Sequence, residues 1–169
     1  MNTVIMLSGP VGSGKTTVAR ELIALLPAPL AYIEGDTFWS FIAKSESRDH
    51  RENFRVIMRA MTAAALPFVR SGFDVLIDFS IPPEFLVTAR KILKELPLDY
   101  IVLLPSEAIC AARAAGRTTG AIADYAPYSS FYALFEAADH YTIRNDEAEA
   151  PDVAARISEG LNAGRFRVL

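Results

Sequence analysis

A single cysteine, Cys110, stands in the whole chain, which excludes an internal disulfide and a cysteine-built zinc cage. It sits in a helix-like stretch and reads as a small buried apolar residue. Histidine is nearly as scarce: His50 and His140 each stand alone, without metal-ligand spacing around either. The formal net charge is only −3, so no surplus of cations is available to track a nucleic-acid backbone. No apolar run approaches the roughly 18 residues of a membrane span. The first residues lack both the charged region and the apolar core of a signal peptide. Repeats, low-complexity tracts and long linkers are missing too. These absences lead to the expectation of one cytoplasmic domain over 1–169, monomeric or a homodimer, with neither nucleic acid nor membrane as partner.

What is present is a hydrophobic share of 51%, ample for one buried core, and one sharply defined stretch. Residues 9–16 read Gly9-Pro10-Val11-Gly12-Ser13-Gly14-Lys15-Thr16 and satisfy the G-x-x-x-x-G-K-[ST] phosphate-binding pattern without a mismatch. An apolar run over 4–7 precedes it and a helical pattern follows it, the strand–loop–helix order that the pattern requires. Glycines let the backbone curl so that amide N–H groups converge on phosphate oxygens, and the helix N-terminus adds its positive dipole end. A nucleoside triphosphate is the expected ligand, held by Gly9, Gly12, Ser13, Gly14, Lys15, Thr16 and Thr17. Lys15 is expected at the β- and γ-phosphates and the Thr16 hydroxyl on Mg²⁺. A regulatory GTPase would need an Asn/Thr-Lys-x-Asp guanine-reading pattern after its fourth strand, and none occurs.

Strand and helix patterns alternate along the chain. Strands are expected over 3–7, 30–34, 73–78, 100–104 and 140–143. Helices are expected over 15–26, 37–44, 49–70 with a kink or break at Pro67, 82–96, 106–115 capped by Ser106, 129–138, and from Pro151 to 160–164. A short tail strand is expected over 166–169, and a mobile, Gly-containing lid over about 113–126. The fold class that follows is α/β, a doubly wound five-stranded parallel sheet with ligands at the carboxyl ends of its strands. The segment over about 37–70 then lines the acceptor pocket.

That topology brings together residues far apart in sequence. Lys15, Asp36 and Asp78 fall on one rim, where one carboxylate can orient Mg²⁺ and the other take the proton of an attacking hydroxyl. Asp78 ends an apolar strand and is assigned with Thr16 to the metal. Asp36 is assigned to catalysis and the acceptor, although an Asp at that position also serves as a helix cap. Arg113 and Arg117, at i and i+4, are expected to stabilise the transferred phosphate, with Arg113 alternatively stacking on adenine. Phe38 and Trp39 are expected to cover an apolar face of the acceptor, and Arg51 and Arg55 to hold its polar groups. The aromatics serve equally as core, and the cationic run from Arg48 to Arg55 equally as a solvated helix face.

The residues resemble those of the small P-loop kinases that phosphorylate metabolites, nucleosides and antibiotics. Tyr32-Ile33-Glu34-Gly35-Asp36 looks like the second-strand motif of gluconate, shikimate and adenylylsulfate kinases, whose final Asp contacts the acceptor. Residues 113–117, Arg-Ala-Ala-Gly-Arg, are similar to the lid-start arginine pair of adenylate kinases. Asp78-Phe79-Ser80 is closer to the zeta-toxin-like and chloramphenicol phosphotransferase-like branch. Thr118-Thr119-Gly120 departs from gluconate kinases. The resemblance implies a nucleoside-monophosphate-kinase-like fold with a short lid. It also implies transfer of the γ-phosphate of Mg·ATP to a hydroxyl of a sugar acid, nucleoside or antibiotic-like acceptor. A nucleoside monophosphate kinase and a non-kinase P-loop ATPase are the alternatives.

Overall fold

The computed structural model describes residues 2–45 and 49–169, so Arg48 lies outside the described residues. Five strands form one sheet: β1 Val4–Ser8, β2 Leu30–Glu34, β3 Asp74–Asp78, β4 Leu98–Leu103 and β5 Thr142–Ile143. Their order is β2-β3-β1-β4-β5, and every pairing among them is parallel. Both faces of such a sheet are covered, which explains why β1 is buried along its length and apolar from Val4 to Leu7 rather than alternating. Val4 and Met6 point to a layer containing α2 (His50–Arg70) and α3 (Leu86–Leu93). Ile5 and Leu7 point to the opposite layer of α1 (Lys15–Leu25) and α6 (Ala150–Asn162). The chain leaves β1 for one side of the sheet and returns for β4 on the other, so the crossover falls beside the end of β1.

Several elements differ from the expectation drawn from sequence, each for a local reason. The segment after β2 winds as a 3-10 helix, Gly35–Phe41, instead of an α-helix over 37–44. Thr37 Oγ1 donates to the Glu34 carbonyl at 2.6 Å and Ser40 Oγ to that of Thr37 at 2.7 Å, side-chain bonds three residues back that suit the tighter winding. Pro67 does not interrupt α2: one buried stripe, including Ile57, Met61, Ala65 and Val69, carries the helix through to Arg70. The helix expected over 129–138 divides into α5 (Ser129–Ala133) and a 3-10 turn, Glu136–Tyr141, which also shortens β5. The helix expected over 82–96 becomes a 3-10 turn, Pro83–Phe85, followed by α3. Ser106 precedes α4 (Glu107–Ala115) without a side-chain cap; its backbone N–H donates to Asp146 Oδ1 at 2.7 Å.

In place of a tail strand, the C-terminus makes one antiparallel bridge, Arg167 to Asp99. Asp99 is buried and accepts from Arg167 Nε at 2.9 Å, Arg167 Nη2 at 3.1 Å and Thr3 Oγ1 at 2.8 Å. The forked guanidinium is what allows a carboxylate to sit at the sheet edge out of water. Replacing Arg167 with alanine is expected to lower stability by about 2–3 kcal/mol, because the buried carboxylate loses its charged partner. Urea unfolding measures this, and a loss below about 0.5 kcal/mol would show that Thr3 and water suffice.

Candidate active site

The phosphate loop is held from outside by its own carbonyls. Ser13 N–H and Lys15 Nζ both donate to the Pro10 carbonyl, at 3.2 and 3.1 Å. Tyr125 Oη donates to the Val11 carbonyl at 2.7 Å, and Asn145 Nδ2 to that of Ser13 at 3.0 Å. Gly12 has φ +82°, and a Cβ there would lie 2.1 Å from the Cys110 carbonyl oxygen of α4. Only glycine fits that turn and that approach together. The opening amides of α1 have no acceptor within their helix and add its positive dipole end to the concavity. Ser13 Oγ is buried there without a hydrogen-bond partner, the signature of a group awaiting a polar ligand.

Parallel registry sets the charged rim. Asp78, last residue of β3, pairs with Leu7 of β1 and Glu34 of β2, so it stands beside the root of the phosphate loop. Burial pushes its carboxyl above the ordinary aspartate range, while Lys15, the Thr16 hydroxyl and Tyr32 act in the opposite sense. Tyr32 Oη donates to Asp78 Oδ2 at 3.2 Å. Burial also pulls the Lys15 ammonium below the usual lysine range, against the attraction of Asp78 and Asp36; Arg117 pushes the same way as burial. Lys15, Asp36, Asp78 and Arg117 therefore share one electrostatic neighbourhood. A magnesium nucleotide fits this donor set, since Thr16 and Asp78 supply hard oxygens next to a cationic loop.

Asp36 is placed by the glycine before it. A Cβ at Gly35 would lie 2.6 Å from Met61 Sδ and from Phe79, so only glycine lets the end of β2 approach α2 this closely. Asp36 then borders a cavity of about 650 Å³ that extends to Val11 of the phosphate loop. Trp39, Phe54, Phe79, Tyr128 and Phe131 wall it, and Arg51 and Arg55 line it as well. The loop after β3 is locked in place: Ser8 Oγ donates to the Ile81 carbonyl at 2.7 Å and accepts from Ile81 N–H at 2.8 Å, and Tyr100 Oη donates to that carbonyl at 2.6 Å.

A family model described as an AAA domain matches residues 4–131. The chain belongs to the AAA domain family. Comparison with curated proteins gives no sequence match. Among solved structures, this AAA-family chain is similar to the tunicamycin resistance protein of Deinococcus radiodurans, with 16% identity, 100% and 99% of the two chains covered and a TM-score of 0.69. It is similar to the APS kinase of Mycobacterium tuberculosis in complex with AMPPNP and APS, with 18% identity, 95% and 98% covered and a TM-score of 0.67. A third is shikimate kinase from Acinetobacter baumannii in complex with shikimate, with 20% identity, 97% and 94% covered and a TM-score of 0.61. The fold is thus that of the small P-loop kinases, as the resemblance implied.

Within the AAA-family chain, the residues singled out from sequence fall into three places. Gly9, Gly12, Ser13, Gly14, Lys15, Thr16 and Thr17 form the loop and the first turn of α1, and Asp36 and Asp78 flank it. Trp39, Arg51 and Arg55 join Asp36 around the cavity. Phe38 does not: it lines a separate cavity of about 410 Å³ with Tyr32 and Glu34, and packs edge-on against Phe41. Arg113 and Arg117 also part company. Arg113 is fixed, with Nη2 donating to the carbonyls of Asn145 and Asp146 at 3.1 Å each and Nη1 near Gly14. Arg117 lies beyond the end of α4, exposed and, among the described residues, without a side-chain hydrogen bond or ion pair.

Tyr32, Tyr125, Asn145 and Asp146 escaped the sequence reading. Asn145-Asp146 follows β5 and so stands on the same rim as Asp36 and Asp78, a positional signal available in the alternation of strands. Tyr125 carried none, because it sits in an irregular stretch and acts through a contact 114 residues away. Its hydroxyl and the Ile122 N–H bond to the Ala114 carbonyl, 3.1 Å, tie the loop over 116–125 to the site. Tyr125→Phe is expected to cost about 1 kcal/mol and to speed amide exchange across 116–125. Unchanged exchange there would show that the loop is held by other contacts.

Proposed function

We propose that the protein is an ATP-dependent phosphotransferase that moves the γ-phosphate of Mg·ATP to a hydroxyl of a small molecule held in the 650 Å³ cavity. One observation carries this reading: the same cavity is bounded by Val11 of the phosphate loop and by Asp36, a carboxylate within electrostatic reach of Lys15. The fold shared with an APS kinase solved in complex with AMPPNP and APS, and with a shikimate kinase solved in complex with shikimate, supports this reading.

In this reading Asp36 orients the acceptor hydroxyl and accepts its proton as the oxygen bonds to the γ-phosphorus. The bond from that phosphorus to the β-phosphate bridging oxygen breaks, and the proton remains on Asp36 until solvent takes it. Lys15 and Arg117 balance the charge spread over the transferred group, and the loop over 116–125 keeps water from competing as acceptor. Arg113, anchored beside Gly14, forms a rigid cationic wall for the nucleotide. Thr16 and Asp78 would hold Mg²⁺, which neutralises phosphate charge.

Arg51 and Arg55 give some support to a nucleoside monophosphate as acceptor. A phosphate acceptor carries little proton to surrender at neutral pH, so Asp36 would then have no task, and the hydroxyl reading uses more of the site. A non-kinase ATPase leaves the whole cavity without a purpose.

Asp36→Asn is expected to lower turnover by about 10²-fold or more with ATP affinity unchanged, because the amide cannot accept the proton. Steady-state kinetics with calorimetric ATP titration check this, and a parallel loss of ATP affinity would make Asp36 a nucleotide-site residue instead. Asp78→Asn is expected to weaken ATP binding about tenfold in Mg²⁺ and to leave Mg²⁺-free binding unaltered. Equal weakening under both conditions would remove Asp78 from the metal site.

A further inference from the structure

One side of the cavity is a cluster of aromatic rings. Trp39 lies nearly parallel to Phe54, at 21° with centroids 6.3 Å apart, and Phe131 meets Phe54 edge-on at 81°. His50, which carried no assignment from the sequence, stacks on Trp39 at 4.7 Å and 7° and borders the same cavity. These rings already stack on one another, and a further planar ring joins such a cluster by offset or edge-on contact. The volume of about 650 Å³ exceeds what a six-carbon sugar acid fills.

Polar side chains share the lining, among them Asp36, His50, Ser80, Glu84 and Ser130, and two more are cations on one helix face. Arg51 and Arg55 stand one turn apart on α2, where like charges repel, and Arg51 lies in the first turn, at the positive end of the helix dipole. Among the described residues neither side chain makes an ion pair or a hydrogen bond. Among the described residues, Glu84, from the turn after β3, is the one carboxylate besides Asp36 on the cavity lining. Arg51 and Arg55 are both exposed, and two guanidinium groups at the mouth of the cavity can give bidentate hydrogen bonds to a carboxylate or phosphate.

We infer that the acceptor is an anionic compound built on a planar aromatic ring, with the ring against Trp39 and Phe54 and the anion on Arg51 and Arg55. The inference rests on the kinase reading for the role of Asp36 at the acceptor hydroxyl; the ring and anion sites stand on the cavity itself. Sugar acids, which lack the ring, and neutral aromatic alcohols, which lack the anion, are then expected to bind more weakly.

Trp39 is the only tryptophan in the chain, so its fluorescence reports occupancy of this cavity without any turnover. The full-length protein is titrated with 4-(hydroxymethyl)benzoate and its neutral amide, with uridine 5′-monophosphate and uridine, and with gluconate. At least one anionic member is expected to bind about tenfold tighter than its neutral twin and than gluconate, and the pair that shows it tells carboxylate from phosphate. In Arg51→Gln/Arg55→Gln that preference is expected to vanish while binding of the neutral twin and the thermal midpoint stay the same. Single variants, each expected to lose part of the preference, serve if the double variant fails to fold. Anionic compounds that bind no tighter than their twins, gluconate that binds as well, or a preference that survives in the variants would overturn the inference. ATP consumption run alongside separates the two readings. Ring-anion binding without consumption removes the kinase and leaves the ligand class standing; consumption on gluconate without ring-anion binding does the reverse.

Discussion

Lys15 and Asp78 are opposite charges brought together where water is scarce, and their attraction does not compensate for what burial costs them. The amine is held below its usual range and the carboxyl above its own, so for both groups desolvation outweighs the partner. A pair of this kind is poor evidence for stability. It is instead the arrangement expected of charges kept ready for a ligand that adds charge of its own. Much of the surrounding structure serves to hold that pair in register. Asp78 is aligned with Leu7 and Glu34 by the parallel ladder, and Lys15 is tethered to the Pro10 carbonyl at the opposite end of its loop.

The loop that carries Lys15 is fixed by parts of the chain that contribute little charge. Its carbonyls are taken by Tyr125 and Asn145, and the backbone of α4 closes on Gly12 so tightly that a methyl group has no room. Ser8, Ile81 and Tyr100 join β1, the loop after β3 and β4 through three short bonds, which sets the far wall of the cavity relative to the nucleotide end. Rigid support of this sort matters because phosphoryl transfer asks for position and preorganised charge rather than for covalent chemistry. Arg113 belongs to the rigid part and Arg117 to the adaptable part, although sequence spacing places both on one helix face. The helix ends between them, at Ala115.

The cavity adds a different kind of information. Its charged end beside Asp36 adjoins the phosphate loop, whereas its aromatic walls and Arg51 and Arg55 of α2 are the part on which a choice between acceptors would depend. Trp39 and Phe38 are neighbours in sequence and face different cavities, because a 3-10 turn carries successive side chains about a third of a turn apart. That separation decides which aromatic meets a ligand.

The sequence by itself determined the phosphate loop, the alternation of strands and helices, the parallel sheet and the placing of Asp36 and Asp78 at strand ends. These follow from local chemistry and period, and a strand-end carboxylate in a parallel sheet has only one rim to occupy. Element types between the strands were less legible where side-chain bonds three residues back favoured a 3-10 turn, as after β2. Only the tertiary structure decided that Tyr125 closes on Val11, that Asn145 holds Ser13, that Arg113 is anchored, and that Arg51 and Arg55, exposed on α2, border the same cavity as Asp36. Each of these depends on contacts between segments far apart in the chain, and neither the period nor the composition of either segment carries a record of the other.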